Sequence, residues 1–190
     1  PHFWFDLQEW SKASQNITRG MVDLVGAESD AGKDIAKRGA AYKAKIDALH
    51  GWTGERLATI PEEQRILITS HDAFNYFGRA YSIDVVGIQG VSTEQEASQR
   101  DVANIIETVK KRKTPAIFVE SSVNPALIKQ VASETGSKAA GPLFSDSVGT
   151  EGSGAETFVT MFVKNVEEIT VNLGGKYEAF SAPDAKESGK

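Results

Sequence analysis

The amino-acid sequence predicts an α/β fold, in which a mainly parallel sheet is flanked by helices and preceded by a long helix. From residue 61 to residue 173, short apolar segments alternate with amphipathic segments, and this alternation favours a parallel sheet with helices on both faces. Before Pro61, apolar residues recur at helical spacing only. Polar side chains follow the predicted strands, at the edge where open α/β sheets bind ligands.

The segment before Pro61 is predicted to form two helices. Residues 7–25 place apolar side chains on one helical face. A glycine follows, and Ser29 or Asp30 can cap the next helix. Residues 31–59 form the long helix, which Pro61 ends because proline cannot continue the hydrogen-bond pattern.

Strands and helices then alternate along the chain. The predicted strands are residues 66–69, 85–88, 116–119 and 138–144. The predicted helices are residues 74–81, 93–112, 125–135 and 158–173. Ser92 and Asn124 are the predicted N-caps of the second and third of these helices, because short polar side chains bond the free amides of a helix start.

Composition and charge exclude several classes of function. The chain is 40% hydrophobic and 25% charged, as is typical of a globular protein. Its net charge is −5 and its one basic cluster is short, at residues 110–113, so we expect no nucleic-acid partner. No apolar run reaches the ~20 residues that cross a bilayer. Cysteine is absent, so a metal site here must use His, Asp, Glu or water.

Four polar side chains follow the predicted strands, where the carboxyl ends of parallel strands meet. They are His71, Gln89, Glu120 and Asp146. Three of them also have an ordinary interpretation: His71 as a capping or core residue, Asp146 in an Asx turn, and Glu120 as an acceptor for loop amides. His50 lies on a predicted solvated helix face, where we expect no functional role.

Five segments of the chain carry a resemblance to a known family. In chain order they are PHFW at 1–4, TSHDAFNYF at 69–77, GIQGVST at 87–93, FVESSV at 118–123 and LFSD at 143–146. Together they resemble the metal-binding, substrate-binding proteins (solute-binding proteins) of manganese and zinc ABC importers. The resemblance covers roughly residues 1–175, and the ordered set is far more specific than any single segment.

The resemblance implies two α/β lobes joined by one long helix, with a metal ion between the lobes. The histidine of the family's Pro-His-x-Trp motif corresponds to His2, the residue after Thr-Ser to His71, and the aspartate of Phe-Ser-Asp to Asp146. The fourth ligand of the family, usually a histidine, precedes the residues present here. Two imidazoles and a carboxylate suit Zn²⁺ or Mn²⁺, and His71, where relatives have His or Glu, favours Zn²⁺.

The resemblance also implies a division of the chain and a function. Residues 1–30 would end the N-terminal lobe, 31–60 would form the inter-lobe helix, 61–177 the C-terminal lobe, and 178–190 a disordered tail. The function implied is capture of Zn²⁺ or Mn²⁺ as cargo and its delivery to a membrane permease, outside the cytoplasm, in the periplasm or on a lipid anchor. The protein would not be an enzyme.

Two alternative functions stay open at this stage. A metal-dependent hydrolase would use a His-His-Asp site to activate water, and Glu120 is the candidate general base. An adhesion or interaction protein is a role often ascribed to relatives, although no pattern in this sequence encodes it.

The apolar start of the chain gives one further expectation. Real termini are usually polar, so we expect this chain to be the later part of a longer protein. Its early apolar residues would then pack on a missing N-terminal lobe. These residues are Phe3, Trp4, Phe5, Leu7, Trp10, Ile17 and Met21. In the chain alone, the segment would fold back, pair with another copy or need the missing part, with His2 displaced from His71 and Asp146 and metal affinity far weaker.

Overall fold

The computed structural model describes residues 2–90 and 98–183. Its helices are α1 (Leu7–Val25), α2 (Asp30–Ala58), α3 (Asn75–Tyr81), α4 (Gln99–Arg112), α5 (Ala126–Thr135) and α6 (Phe158–Asn172). Its strands are β1 (Ile66–Thr69), β2 (Asp84–Gly87), β3 (Ala116–Glu120) and β4 (Lys138–Leu143). Two short 3-10 turns lie at Phe3–Phe5 and Glu62–Gln64. The predicted α/β fold with a parallel sheet and a long preceding helix is confirmed.

The strands form one parallel sheet in the order β2-β1-β3-β4. All four residues of β1 are buried, because this strand has a neighbour on each side and is covered on both faces. Burial on both faces explains why its sequence is a continuous apolar run rather than an alternating one. Since every strand points the same way, the residues that follow β1, β3 and β4 meet at one edge of the sheet.

Two apolar cores cover the two faces of the sheet. Successive side chains of a strand point to opposite faces. Leu67 of β1 and Phe118 of β3 lie in the core formed with α2, α3 and α6. Ile68 and Ile117 lie in the other core, which α4 and α5 cover. The sheet is therefore a rigid layer between helices, and its carboxyl edge is a fixed platform for side chains.

The helix starts show which polar residues act as caps. The Ser29 hydroxyl accepts from the amide of Gly32 and begins α2. The predicted start of α4 at residue 93, with Ser92 as N-cap, lies outside the described residues, and within them Ser98 caps α4 in a reciprocal capping box. Asn124 Oδ1 accepts from the amide of Ala126 at 3.0 Å, so it bonds the first turn of α5 from one position before the N-cap, Pro125. None of the described helices has the length and apolar character of a membrane span.

The N-terminal segment packs on the sheet and its helices. Phe5 and Leu7 are fully buried, and the Phe5 ring lies 4.5 Å from that of Phe74, the N-cap residue of α3. Trp10 stacks on Phe158 of α6 at 4.7 Å. For residues 3–10 the structure therefore shows the alternative in which the segment folds back on the chain itself, rather than packing on a missing lobe. An apolar pattern shows that a face is buried, but it does not identify the surface that covers the face.

Further along α1, packing of the apolar residues on a missing lobe stays a prediction. Ile17 is 60% exposed and Met21 is 47% exposed, so the second half of this helix presents apolar side chains to solvent. Thr18, between them, faces Gly39 of α2, where the two helices pack closely. The two halves of α1 thus have different surroundings, although their sequence patterns look alike.

The last described residues contact the long helix. Trp52 Nε1 of α2 donates to the carbonyl oxygen of Glu178 at 3.0 Å, and the Glu178 carboxylate pairs with Arg56 at 2.9 Å. The Phe180 ring lies 5.4 Å from that of Trp52. Glu178 and Phe180 therefore contact α2, and the disordered tail expected at residues 178–190 stays a prediction. Residues 184–190 lie outside the described residues.

Candidate metal centre

His71 lies at the centre of the carboxyl edge, two residues after β1. It is fully buried. The Thr69 hydroxyl donates to the His71 carbonyl oxygen at 2.8 Å and holds the turn that follows the strand. On the other side, β2 comes so close that a Cβ on Gly87 would lie 2.6 Å from the Asp72 amide nitrogen. Glycine at this position lets the two strands meet and positions the backbone of His71.

Glu120, the last residue of β3, contacts the His71 side chain on the side away from His2 and Asp146. One carboxylate oxygen accepts from the His71 amide at 2.8 Å, and the other lies 2.7 Å from Nδ1 of the ring. Both side chains are wholly shielded from solvent. With Nδ1 facing the carboxylate, Nε2 points toward the open side of the sheet edge. A carboxylate behind an imidazole in this way fixes the ring and raises the basicity of its other nitrogen toward a metal ion.

His2 reaches the same place from the start of the chain. It precedes the 3-10 turn Phe3–Phe5, and its carbonyl oxygen accepts from the Phe5 amide at 3.3 Å. Trp4 Nε1 donates to the Ser145 carbonyl oxygen at 3.3 Å, and the buried Phe5 anchors the turn in the core. His2 is therefore not displaced in this chain, contrary to the prediction, because the turn that carries it packs on the sheet itself.

Asp146 completes the group from the loop after β4. Its Oδ1 lies 3.1 Å from His2 Nε2, and its Oδ2 lies 3.7 Å from His71 Nε2. The Ser122 hydroxyl donates to Oδ2 at 2.6 Å, and the Ser145 hydroxyl lies 3.2 Å from the same oxygen. The side chain is 35% exposed, so the site opens to solvent on this side.

The distances fit one metal ion. The Nε2 atoms of His2 and His71 are 3.4 Å apart, and one donor atom from each of the three residues lies within 4.8 Å of the others. Donors bound at about 2.05 Å to a tetrahedral zinc ion are separated by about 3.3 Å. The structure thus brings together the three residues that the sequence singles out, while their role as ligands stays a prediction.

Negatively charged side chains around the site favour the binding of a cation. Burial lowers the pKa of His71, but contact with Glu120 and the negative charges of Glu120, Asp146 and Asp72 outweigh burial and raise this pKa above its ordinary value. For Asp146, burial raises the pKa, but the hydrogen bond from Ser122 and the charge of His71 outweigh burial and lower it. The carboxylate therefore stays charged, and the surroundings of His71 stabilise positive charge, whether a proton or a metal ion brings it.

Some site residues were not assigned from the sequence. The sequence suggests two roles for Glu120, an acceptor for loop amides or the general base of a hydrolase. The structure instead pairs its carboxylate with His71 of the neighbouring strand's turn. Ser122 and Ser145 lie in the family-like segments FVESSV and LFSD, but the sequence assigned them no role at the site. His50 differs from the solvated side chain expected: its Nδ1 lies 3.0 Å from the Tyr81 hydroxyl, and its Nε2 lies 3.3 Å from the Gln8 amide nitrogen. These contacts join His50 of α2 to residues of α3 and α1 and give it a structural role.

Comparison with known proteins identifies the family. A family model described as "Zinc-uptake complex component A periplasmic" (ZnuA) matches residues 1–171. The chain belongs to this family. The ZnuA family match covers the strands, both long helices and all three candidate ligands, so it includes the whole of the site described above.

Individual relatives agree with the family assignment. The zinc-binding protein TroA of Treponema pallidum is 35% identical over 178 residues, and the manganese-binding lipoprotein MntA of Halalkalibacterium halodurans is 35% identical over 173 residues. Each alignment covers 91% of this chain and 57% of the relative. A solved structure of the T. pallidum periplasmic zinc-binding protein TroA matches with a TM-score of 0.84 at 34% identity, over 91% of this chain and 63% of that structure. This ZnuA-family chain therefore spans little more than half the length of these curated relatives.

The Glu120→Gln variant tests the carboxylate behind His71. Glutamine keeps an acceptor for the His71 amide but removes the negative charge beside Nδ1. We expect Zn²⁺ affinity to fall by about 10- to 100-fold, the usual cost of losing an outer-shell partner of a metal-bound histidine. Calorimetric titration measures this change. Glu134→Gln, on the exposed face of α5, serves as the charge-matched control, and equal affinities for the two variants would contradict the role of Glu120.

Proposed function

We propose that this chain forms part of the solute-binding component of an ABC importer, which captures a divalent metal ion and delivers it to a membrane permease. The observation that carries this proposal is the meeting of His2, His71 and Asp146, whose donor atoms lie within 4.8 Å of one another in a member of the ZnuA family. The names of its relatives support it, since TroA is named as zinc-binding and MntA as manganese-binding.

The cargo proposed is Zn²⁺ or Mn²⁺, with Zn²⁺ preferred. Two imidazoles and one carboxylate match the usual zinc donors, and oxygen-rich sites are more typical of manganese. Three protein ligands leave one position of a four-coordinate ion, which water or a ligand from a further lobe of the whole protein would fill. In that arrangement, residues 31–60 join the lobes and residues 61–177 form the C-terminal one.

We place the site outside the cytoplasm, in the periplasm or on a lipid-anchored protein. Support comes from the printed names of the family and its relatives, which include the words periplasmic and lipoprotein. Capture outside the cytoplasm also suits a component that passes its cargo to a permease in the membrane.

A binding role accounts for the geometry better than hydrolysis does. A hydrolase needs a general base near the metal-bound water, and Glu120 was the candidate. Both Glu120 oxygens contact His71, and its side chain is wholly shielded from solvent, so no oxygen faces a substrate. The adhesion alternative stays a separate prediction, which binding to host-surface material would test.

Metal titration of the purified chain tests the proposed function. Because the structure brings His2 to the other two ligands, we expect the 190-residue chain to bind one Zn²⁺ and to bind Mn²⁺ more weakly. Calorimetry after chelator treatment measures the stoichiometry and both affinities. A chain that binds neither ion in this titration would overturn the proposal, and turnover of ester substrates by the zinc-loaded chain would favour the hydrolase.

The pH dependence of metal binding follows from the state of His71. A metal-bound imidazole must be neutral, so protons and metal ions compete for Nε2. Since the pKa of His71 is raised, protonation begins at a higher pH than for an ordinary imidazole, and Zn²⁺ affinity should fall as pH drops through that raised value. Asp146 stays ionised in this range, because its pKa is lowered. Titrations between about pH 8 and pH 5.5 span the ordinary imidazole range, and a constant affinity there would exclude histidine ligands.

A further inference from the structure

The two carboxylate oxygens of Asp146 have different partners. Oδ1 lies 3.1 Å from Nε2 of His2 and faces the centre of the site. Oδ2 accepts a hydrogen bond from the Ser122 hydroxyl at 2.6 Å. The Ser145 hydroxyl lies 3.2 Å from Oδ2 and 3.2 Å from the Ser122 hydroxyl, so it can donate to either. Oδ2 is also 3.7 Å from His71 Nε2, which is beyond hydrogen-bond distance.

This arrangement limits what Oδ2 can offer to a metal ion. An ionised carboxylate has about four lone-pair positions, two on each oxygen. The hydrogen bond from Ser122 is short and has a charged acceptor, which makes it one of the stronger kinds of hydrogen bond. It occupies one position on Oδ2, and the hydroxyl of Ser145 stands beside the other. Oδ1 has no hydroxyl partner among the described residues and remains available to the ion.

The backbone beside Ser122 is joined to the end of β4. The amide of Ser121 donates to the Leu143 carbonyl oxygen at 2.8 Å, which ties the turn after β3 to the end of β4. Asp146 lies three residues after the end of β4, so this tie keeps the turn with Ser122 beside the loop with Asp146. The turn that carries Ser122 is therefore joined to the sheet through the amide of Ser121.

Building on the proposed function, we propose that Ser122 is a specificity-determining residue, which restricts Asp146 to one metal–oxygen bond and so favours Zn²⁺ over Mn²⁺. Zinc is commonly four-coordinate with nitrogen and oxygen donors, and a single oxygen from Asp146 suits that number. Manganese prefers more oxygen ligands, so it gains when both carboxylate oxygens are free. Ser122 touches Asp146 and not the ion, and it acts by positioning the carboxylate.

Three variants of the 190-residue chain test this inference. Ser122→Ala removes the donor to Oδ2, Ser122→Thr keeps a hydroxyl at the same position, and Ser121→Ala changes the neighbouring exposed side chain without altering the backbone tie. Calorimetry with Zn²⁺ and with Mn²⁺ gives the ratio of the two Kd values for each variant. We expect Ser122→Ala to shift this ratio about tenfold toward Mn²⁺, which is the lower end of the usual effect of losing an outer-shell partner. Ser122→Thr and Ser121→Ala should keep the ratio of the unchanged chain.

A structural readout separates positioning from general damage to the site. In crystals of the manganese-loaded Ser122→Ala variant, both Asp146 oxygens should lie within bonding distance of the ion, and in the manganese-loaded unchanged chain one should. If Ser122→Ala weakens both metals equally, or if Asp146 already binds through both oxygens in the unchanged chain, the inference is overturned while the proposed function stands. If the unchanged chain binds neither metal, both are overturned.

Discussion

Replacing His71 with alanine should reduce the affinity of the chain for Zn²⁺ by more than about 100-fold, which exceeds the usual effect of an outer-shell change. His71 is fully buried, and its Nε2 lies 3.4 Å from that of His2. The alanine variant loses this donor and leaves Glu120 buried without its imidazole partner. Only His2 and Asp146 then remain of the three candidate ligands. Calorimetric titration of the chelator-treated chain measures the loss.

His50→Ala is the matched control for this experiment. His50 contacts the Tyr81 hydroxyl and the Gln8 amide, and neither of these groups belongs to the site. The variant should therefore bind Zn²⁺ as the unchanged chain does, while losing the same kind of side chain. Equal affinities for His71→Ala and the unchanged chain would remove His71 from the ligand set.

The largest expected effect on folding comes from Phe162→Ala. Phe162 in α6 is fully buried, and its ring lies near those of Phe5, Phe77 and Phe158 at 5.9–6.2 Å. Truncation leaves a cavity where the N-terminal segment, α3 and α6 meet, and we expect it to lower the free energy of unfolding by roughly 3–5 kcal/mol. Urea denaturation followed by circular dichroism measures the difference.

Val171→Ala, on the same helix, controls for the change in helix composition. Val171 is 54% exposed, so its truncation should alter the free energy of unfolding by less than about 0.5 kcal/mol. A similar loss for both variants would show that the aromatic core is not the main source of stability. Phe162→Ala should also weaken metal binding, because the turn that carries His2 is anchored through Phe5.

The strands and their order of appearance could be predicted because each has a sequence signal of its own. Ile66–Thr69 is a short β-branched run, and it forms β1 within the predicted limits. The N-cap of α4 also had a readable signal, since Ser98 and Asp101 have the spacing of a capping box. The position of His71 at the carboxyl edge followed from the parallel alternation, whereas its assignment as a ligand depended on the resemblance.

The contacts between strands could not be predicted in the same way. Glu120 lies 49 residues from His71 in sequence, and the two meet because β3 is the neighbour of β1 in the sheet. The alternation of strands and helices fixes the direction of the strands but leaves their order open. The same limit applies to Phe5 and Leu7, whose apolar character was clear while their partner surface was assigned to a lobe outside this chain.

The three candidate ligands lie far apart in sequence, at residues 2, 71 and 146, and this spacing gives the ion a second effect. An unfolded chain cannot hold the three donors together, so a bound ion acts as a reversible cross-link between the start, the middle and the last third of the chain. At a free metal concentration about one hundred times the Kd, binding adds about 2.7 kcal/mol to the free energy of unfolding. Loaded and empty molecules should therefore differ in melting temperature and in resistance to proteases, so under the proposed function release of the ion would leave the chain easier to degrade.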